Sequence, residues 1–289
     1  MPSSADMHDF PDRRELEAYL TPYLLHSEVH GVTVSGHGVR ALSQRLLLSE
    51  REVMTGLLER DLWPERFSRC RGAVGAEALI RLLHARIVVA GCGGLGGHVA
   101  AMLARAGAGS LVLCDPDVFE ESNLNRQNFC TERTLGLPKA EVCRQGVLDI
   151  ASYMDAEAHV TALDEHTLPP LLRNADAVMD CLDSVARKKM LEQETRRAGV
   201  PCIQGAVARN EGLFLCRTGA SLPFSHVYPG ETAGNQEGAP MNTHVLTVTG
   251  TACLMTVLLI RLLCKGKNDS GKLYHLDVAV PELETLVCG

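Results

Sequence analysis

Residues 88–127, VVAGCGGLGGHVAAMLARAGAGSLVLCDPDVFEESNLNRQ, decide the fold. An apolar strand enters a glycine-rich turn, the turn opens a helix, and the helix leads back to a second apolar strand. Gly91, Gly93 and Gly96 form G-x-G-x-x-G at that junction, with Gly94 among them. The first glycine permits a tight turn, the second clears room for a phosphate, and the third lets helix and strand pack closely. N–H groups opening the helix then face an anion. Asp115 ends the second strand, at the spacing where a carboxylate accepts hydrogen bonds from ribose hydroxyls. An adenosine nucleotide fits this pattern, but so do both NAD and ATP.

The alternation continues outward. Strands are expected over 110–114, 157–162, 177–181 and 202–206, and helices over 96–106, 139–154, 167–174 and 185–198. Short apolar strands separated by helices predict an α/β, Rossmann-like, mostly parallel sheet covered by helices. YHLDV (274–278) reads as a returning strand whose place in the sheet is open. Residues 1–65 read as a separate, small helical N-terminal extension. It has a short helix over 16–25 broken at Pro22, a turn-rich break at GVTVSGHG (31–38), and helices over 39–48 and 50–62. Ser49 followed by Glu52 fits a capping box.

The 289 residues are 46% hydrophobic and 22% charged, ordinary for a soluble globular protein. A net charge of -7 argues against bulk attraction to nucleic acid or to an anionic membrane. The opening MPSSADMHDF is acidic and lacks an apolar core, so a cytoplasmic location with reduced thiols is expected for the eleven cysteines. They lie singly, with no CxxC pair, so no structural zinc is expected. The run 245–260 is uncharged for sixteen residues, short of the ~20 that span a bilayer, and reads as a buried core or interface helix.

The residues after Asp115 separate the two chemistries. A dehydrogenase needs a proton donor and a nicotinamide pocket. This chain supplies SNLNRQ (122–127), Lys139 and DCLDS (180–184) instead. Arg126 and Lys139 are cations able to meet polyphosphate oxygens. Asn123 and Gln127 can orient neutral oxygens, although Asn123 would equally cap a turn. Asp183, just past a strand end, can hold hydrated magnesium against phosphate, or simply cap the next helix. This set suits attack at phosphorus, which demands alignment and charge stabilisation.

In this combined order the chain resembles the ThiF/MoeB/HesA superfamily, the bacterial relatives of ubiquitin-activating enzymes, over about 66–277. The resemblance implies an ATP-binding adenylation domain over 66–289. It would transfer AMP to the C-terminal Gly-Gly carboxylate of a small β-grasp sulfur-carrier protein and release pyrophosphate, for thiamine or another sulfur-containing cofactor. It further implies that the GCGGLGG turn holds ATP, that Asp115 binds ribose, and that Asp117, Asn123, Arg126 and Gln127 complete the nucleotide site. Lys139 would bind phosphate, and Asp183 would be the magnesium or catalytic aspartate. RFSRC (66–70) resembles the family's RYxRQ, which implies a homodimer with Arg69 supplied in trans.

Two departures from the family pattern stand out. The paired cysteines that hold zinc in many members are missing near LPFSHVYPG (222–230), and only Cys288 remains near the C-terminus, which implies the zinc-free branch. The segment AGNQEGAPMNTH (233–244) lacks the cysteine of thiol-using members, so adenylation without a lasting enzyme thioester is expected. Cys216 and Cys253 are the nearest thiols, and Cys253 is expected to be packed inside the apolar helix. Cys181 is expected to be structural. Competing readings are a dehydratase acting on threonylcarbamoyladenosine in tRNA and a non-catalytic scaffold for a β-grasp partner.

Overall fold

The computed structural model describes residues 10–219, 243–266 and 269–287. It divides into two compact units, Met1–His84 and Ala85–Gly289.

The first unit holds α1 (Arg13–Leu20), β1 (Leu24–Ser27), β2 (Gly31–Val34), α2 (Gly36–Leu46), α3 (Glu50–Glu59), β3 (Trp63–Pro64) and α4 (Ala76–His84), with a 3-10 turn at Glu65–Cys70. Two local expectations need correcting. GVTV is not a break: it pairs antiparallel with β1 and parallel with β3, because alternating Val32 and Val34 suit a pleated surface. Leu24 and Leu25 likewise extend as strand after the 3-10 turn containing Pro22. The helices of this unit are thus accompanied by a small sheet. The capping box at α3 forms as read: Glu52 N–H donates to Ser49 Oγ at 3.2 Å, and Ser49 N–H donates to Glu52 Oε2 at 2.7 Å.

The second unit runs β4 (Arg86–Ala90), α5 (Gly94–Ala106), β5 (Ser110–Cys114), α6 (Lys139–Ile150), β6 (Asp155–His159), α7 (Leu168–Leu171), β7 (Ala177–Asp180), α8 (Val185–Ala198), β8 (Cys202–Ala208), β9 (Glu211–Arg217), α9 (Val245–Lys265), β10 (Lys272–Asp277) and β11 (Glu282–Val287). Its sheet has the order β11-β10-β9-β8-β7-β4-β5-β6. Strands β8, β7, β4, β5 and β6 are mutually parallel, while β9, β10 and β11 add on antiparallel. YHLDV therefore finds its place between β9 and β11. Ile87, Val88, Val89 and Ala90 are fully buried in consecutive positions, which requires cover on both faces of the sheet.

From β4 the chain first builds outward through β5 and β6, then crosses to β7 and β8 on the other side. The strand order reverses between β4 and β7, and the crevice beyond their carboxyl ends is where such sheets bind ligands. Helix α9 is apolar enough by length and composition to cross a membrane, with mean hydropathy 1.9. Instead it packs against α5, β8 and β9, burying Val248, Ala252, Met255 and Leu259. It approaches the sheet so closely that a Cβ on Gly205 would lie 2.2 Å from Met255 Sδ.

Candidate functional site

The site begins where β4 stops. Gly91 has φ +91°, and a Cβ there would sit 2.8 Å from the Cys181 carbonyl oxygen at the end of β7. A Cβ on Gly96 would collide with the Gly91 carbonyl oxygen at 1.7 Å. Both glycines are therefore required by backbone approach. The helix they open starts at Gly94, two residues before the expected position, with Gly93 as its N-cap and, among the described residues, no side-chain cap on its first N–H groups. That leaves an N-terminus suited to an anion.

Asp115 is buried at the end of β5 and turns back onto this turn. Its Oδ2 accepts from Cys92 N–H at 2.7 Å and its Oδ1 from Asp117 N–H at 2.9 Å. Burial pushes this carboxyl up from its ordinary range, while the two N–H donors and the Lys139 charge oppose the rise. Asp117 Oδ2 in turn meets Lys139 Nζ at 3.1 Å. Lys139 opens α6 and is 8% exposed, so its ammonium is held by the fold. The sequence order Cys92, Asp115, Asp117, Lys139 is thus a spatial chain of contacts.

SNLNRQ folds as a 3-10 turn (Glu121–Asn123) and its continuation. Asn123 is buried, and its Oδ1 accepts from Glu120 N–H at 3.1 Å, so it does shape a turn. Gln127 lies against Gly93: a Cβ there would be 3.5 Å from Gln127 Nε2. Gln127 is 7% exposed, and its buried Oε1 has no hydrogen-bond partner among the described residues. Buried polar atoms are nearly always satisfied, so this oxygen marks where a further donor belongs. Arg126 is half-buried, with its guanidinium on Ser122 O at 2.7 Å and Asn125 Oδ1 at 3.0 Å.

Asp183 is exposed in the turn between β7 and α8. Arg69 is exposed on the 3-10 turn Glu65–Cys70 of the first unit.

Two features, the His98 contact and the Asp180–Lys188 pair, are not announced by the sequence, and one expectation needs correcting. His98, on α5, holds the Arg126 carbonyl: its Nε2 lies 3.2 Å from that oxygen and 3.5 Å from Thr249 Oγ1 on α9. A carbonyl only accepts, so Nε2 carries the hydrogen. Asp180 and Lys188 form a buried ion pair at 3.0 Å beneath the Asp183 turn. Cys253 is exposed on α9 rather than packed, a correction with a simple cause: one helix face meets the sheet, and Cys253 and Val257 point away from it. Cys216 is buried on β9, where desolvation pushes its thiol up to about 11. Burial raises the Cys181 thiol too. Residues 222–230, most of 233–244 and Cys288 lie outside the described residues.

Residues 67–287 match the ThiF family.

The chain belongs to the ThiF family.

The SAMP-activating enzyme E1 of Haloferax volcanii is 35% identical over 227 residues, covering 77% of this chain and 84% of that protein. The molybdopterin-synthase adenylyltransferase of Escherichia coli K12 is 37% identical over 209 residues, covering 70% of this chain and 82% of that protein. The ThiF chain is accordingly an adenylyltransferase. Among solved structures, the microcin C7 biosynthetic enzyme MccB in complex with N-formylated MccA superposes with TM-score 0.68 at 20% identity, covering 87% of this chain and 83% of that one. E. coli MccB has also been solved with ATP.

Proposed function

We propose that this ThiF-family chain binds ATP at the β4–α5 turn and adenylates the C-terminal Gly-Gly carboxylate of a small β-grasp carrier protein. The carrier would serve thiamine or another sulfur-containing cofactor. The contact chain from the glycine turn through Asp115 and Asp117 to Lys139, with the unpartnered Gln127 oxygen beside Gly93, is the observation that carries this reading.

In this reading the free N–H groups of Gly94 and its neighbours bind phosphate oxygens. Asp115 accepts from the ribose hydroxyls with its remaining lone pairs while its other contacts keep the turn in shape. Gln127 Oε1 takes a donor from the nucleotide. Lys139 leaves Asp117 for a phosphate oxygen, and Arg126 swings from Ser122 to the same polyanion. The carrier carboxylate then attacks the α-phosphorus, a P–O bond forms to AMP, and the bond to pyrophosphate breaks. A carboxylate is nucleophilic without help, so the protein contributes charge stabilisation rather than a general base.

Asp183 would hold a magnesium ion through one carboxylate, the other ligands coming from phosphate and water. Among the described residues no cluster of three or more acidic, His or Cys ligands exists, and one exposed carboxylate suits an ion that keeps most of its water. Such an ion would neutralise phosphate charge; Asp183 would orient it. Arg69 would come from a second copy in a homodimer, the reaction would be cytoplasmic, and the adenylation domain would span residues 66–289.

Exchange of labelled pyrophosphate into ATP, with each Gly-Gly carrier added in turn, tests the reading. Exchange that requires one carrier and is lost in K139A and D183A supports it. ATP binding without exchange for any carrier would overturn it.

A second reading places a flexible peptide in the carrier's role. The observation favouring it is the first unit, where α1, β1 and β2 line an open cleft of about 540 Å³ that includes Leu24, His26 and Val32. Among the described residues the outer edge of β1 pairs with no other strand, and it would offer a short peptide backbone partners.

A further inference from the structure

Asp180 is completely buried at the last position of β7, in register with Ala90 on β4 and Gln204 on β8. Its Oδ1 accepts from Lys188 Nζ at 3.0 Å and from Leu182 N–H at 3.1 Å. Its Oδ2 accepts from Gln204 Nε2 at 3.0 Å. Lys188 Nζ, on the second turn of α8, also donates to Gly205 O at 2.7 Å. Lys188 is 4% exposed and Gln204 is fully buried.

A buried ion pair is a poor way to gain stability, since two apolar side chains would fill the same volume at lower desolvation cost. What an apolar pair cannot do is hold a backbone N–H. Asp180 directs one acceptor at Leu182, inside the four-residue turn that carries Asp183 out of the sheet. The same turn sets the Cys181 carbonyl oxygen 2.8 Å from where a Cβ on Gly91 would lie, so its conformation also bears on the glycine turn. Lys188, on α8, ties that carboxylate to β8 through the Gly205 carbonyl oxygen.

We infer that Asp180 and Lys188, assisted by Gln204, are a positioning pair that fixes the turn 181–184 and thereby aims Asp183 at the nucleotide. This rests on the role proposed above for Asp183. It assigns the first aspartate of DCLDS a task separate from that of the second: Asp180 never meets the nucleotide, and acts through Leu182.

The test is calorimetric titration of ATP into full-length wild type, K188R, D183A and K188R/D183A, in magnesium chloride and again in EDTA, with melting curves for each. K188R keeps the charge, but its fork cannot serve Asp180 and the Gly205 carbonyl with the lysine's geometry. Its affinity for ATP in magnesium should fall about tenfold, and in the D183A background the same change should cost under about twofold. In EDTA, wild type and K188R should bind alike. Equal losses with and without Asp183 would make the pair merely structural and overturn the inference. So would wild-type affinity in K188R while D183A is weakened. If D183A itself binds like wild type, the proposed role of Asp183 fails first and the inference with it. Should K188R not fold, Q204M replaces it, removing one hydrogen bond to Asp180. About threefold weaker binding that again depends on Asp183 supports the pair, and unchanged binding refutes it.

Discussion

Asp115 shows how a single residue can carry more than its motif suggests. Its spacing after the glycines announces a ribose contact. The structure adds that both carboxylate oxygens already hold the turn, through Cys92 and Asp117. Asp115→Asn would set an amide N–H against one of those N–H donors, so two losses are expected together. Stability should fall by ~1–3 kcal/mol, the cost of an unsatisfied buried group. ATP affinity should fall at least ~tenfold. Melting and ATP titration on one preparation check both; unchanged affinity would remove Asp115 from the ribose. His98 was invisible because a histidine on a helix has no spacing to announce its partner, and Arg126 lies 28 residues away. Burial holds its imidazole below the ordinary range, against the opposing pull of the Arg126 carbonyl. In the unfolded chain a histidine titrates near ~6.5. Below that pH the unfolded chain takes up protons that the folded one refuses, so acidification favours unfolding, and stability is regained as pH rises. His84, held low mainly by burial, contributes with the same sign. Urea titrations from pH 7 to 5 should show stability falling with pH, and a shallower fall in H98Q. Parallel curves would mean that His98 accepts its proton without penalty.

At the scale of elements, β4, β5, β7 and β8 were legible because each is short, apolar and bounded by turn residues, whereas the polar β6 (DAEAH) starts two residues before its expected span. Sequence and structure agree on 110–114 and 185–198 to the residue. The errors fall where local pattern and tertiary pairing diverge. GVTV looks like a break because glycines flank it, yet pairing with β1 settles it as a strand. Cys253 was misplaced because an apolar helix gives no sign of which side meets the sheet. The two glycines at the start of α5 make the element's logic testable. Gly96 faces the Gly91 carbonyl oxygen, where a Cβ would stand at 1.7 Å, and neither group belongs to a flexible side chain. Next to it, a Cβ on Gly97 would lie 3.6 Å from the Cys92 carbonyl oxygen, an ordinary contact. Gly96→Ala should cost ~1–3 kcal/mol or more and abolish ATP binding, because the turn and helix must part. Gly97→Ala should be tolerated, and its better helix propensity is worth up to ~1 kcal/mol. Equal melting temperatures for the two variants would show that the turn does not depend on this close approach.

At the scale of the whole molecule, the two units set different problems. The second unit brings Cys92, Asp115, Asp117 and Lys139 into one run of hydrogen bonds and sets Gln127 beside Gly93, so that part of the candidate site lies within it. Arg69 belongs to the first unit, on an exposed 3-10 turn, although the family match already begins at residue 67. Only the resemblance of RFSRC to a family motif suggested that this arginine reaches a nucleotide on another copy; its surroundings within one chain could not. Complementation resolves the matter. R69A and K139A each remove a different contribution, and each alone should be nearly inactive in pyrophosphate exchange. If Arg69 acts in trans, a mixed dimer has one site lacking both groups and one site lacking neither. Equal amounts of the two variants, unfolded and refolded together, should then recover about a quarter of wild-type activity, since about half of the dimers are mixed and each has one intact site. If Arg69 acts in cis, every site in every dimer lacks one group, and mixing recovers nothing. A monomer in solution would give that same null result, so sedimentation of the mixture at the assay concentration separates the two explanations: no recovery from a dimer refutes the trans arrangement, and no recovery from a monomer refutes the dimer itself.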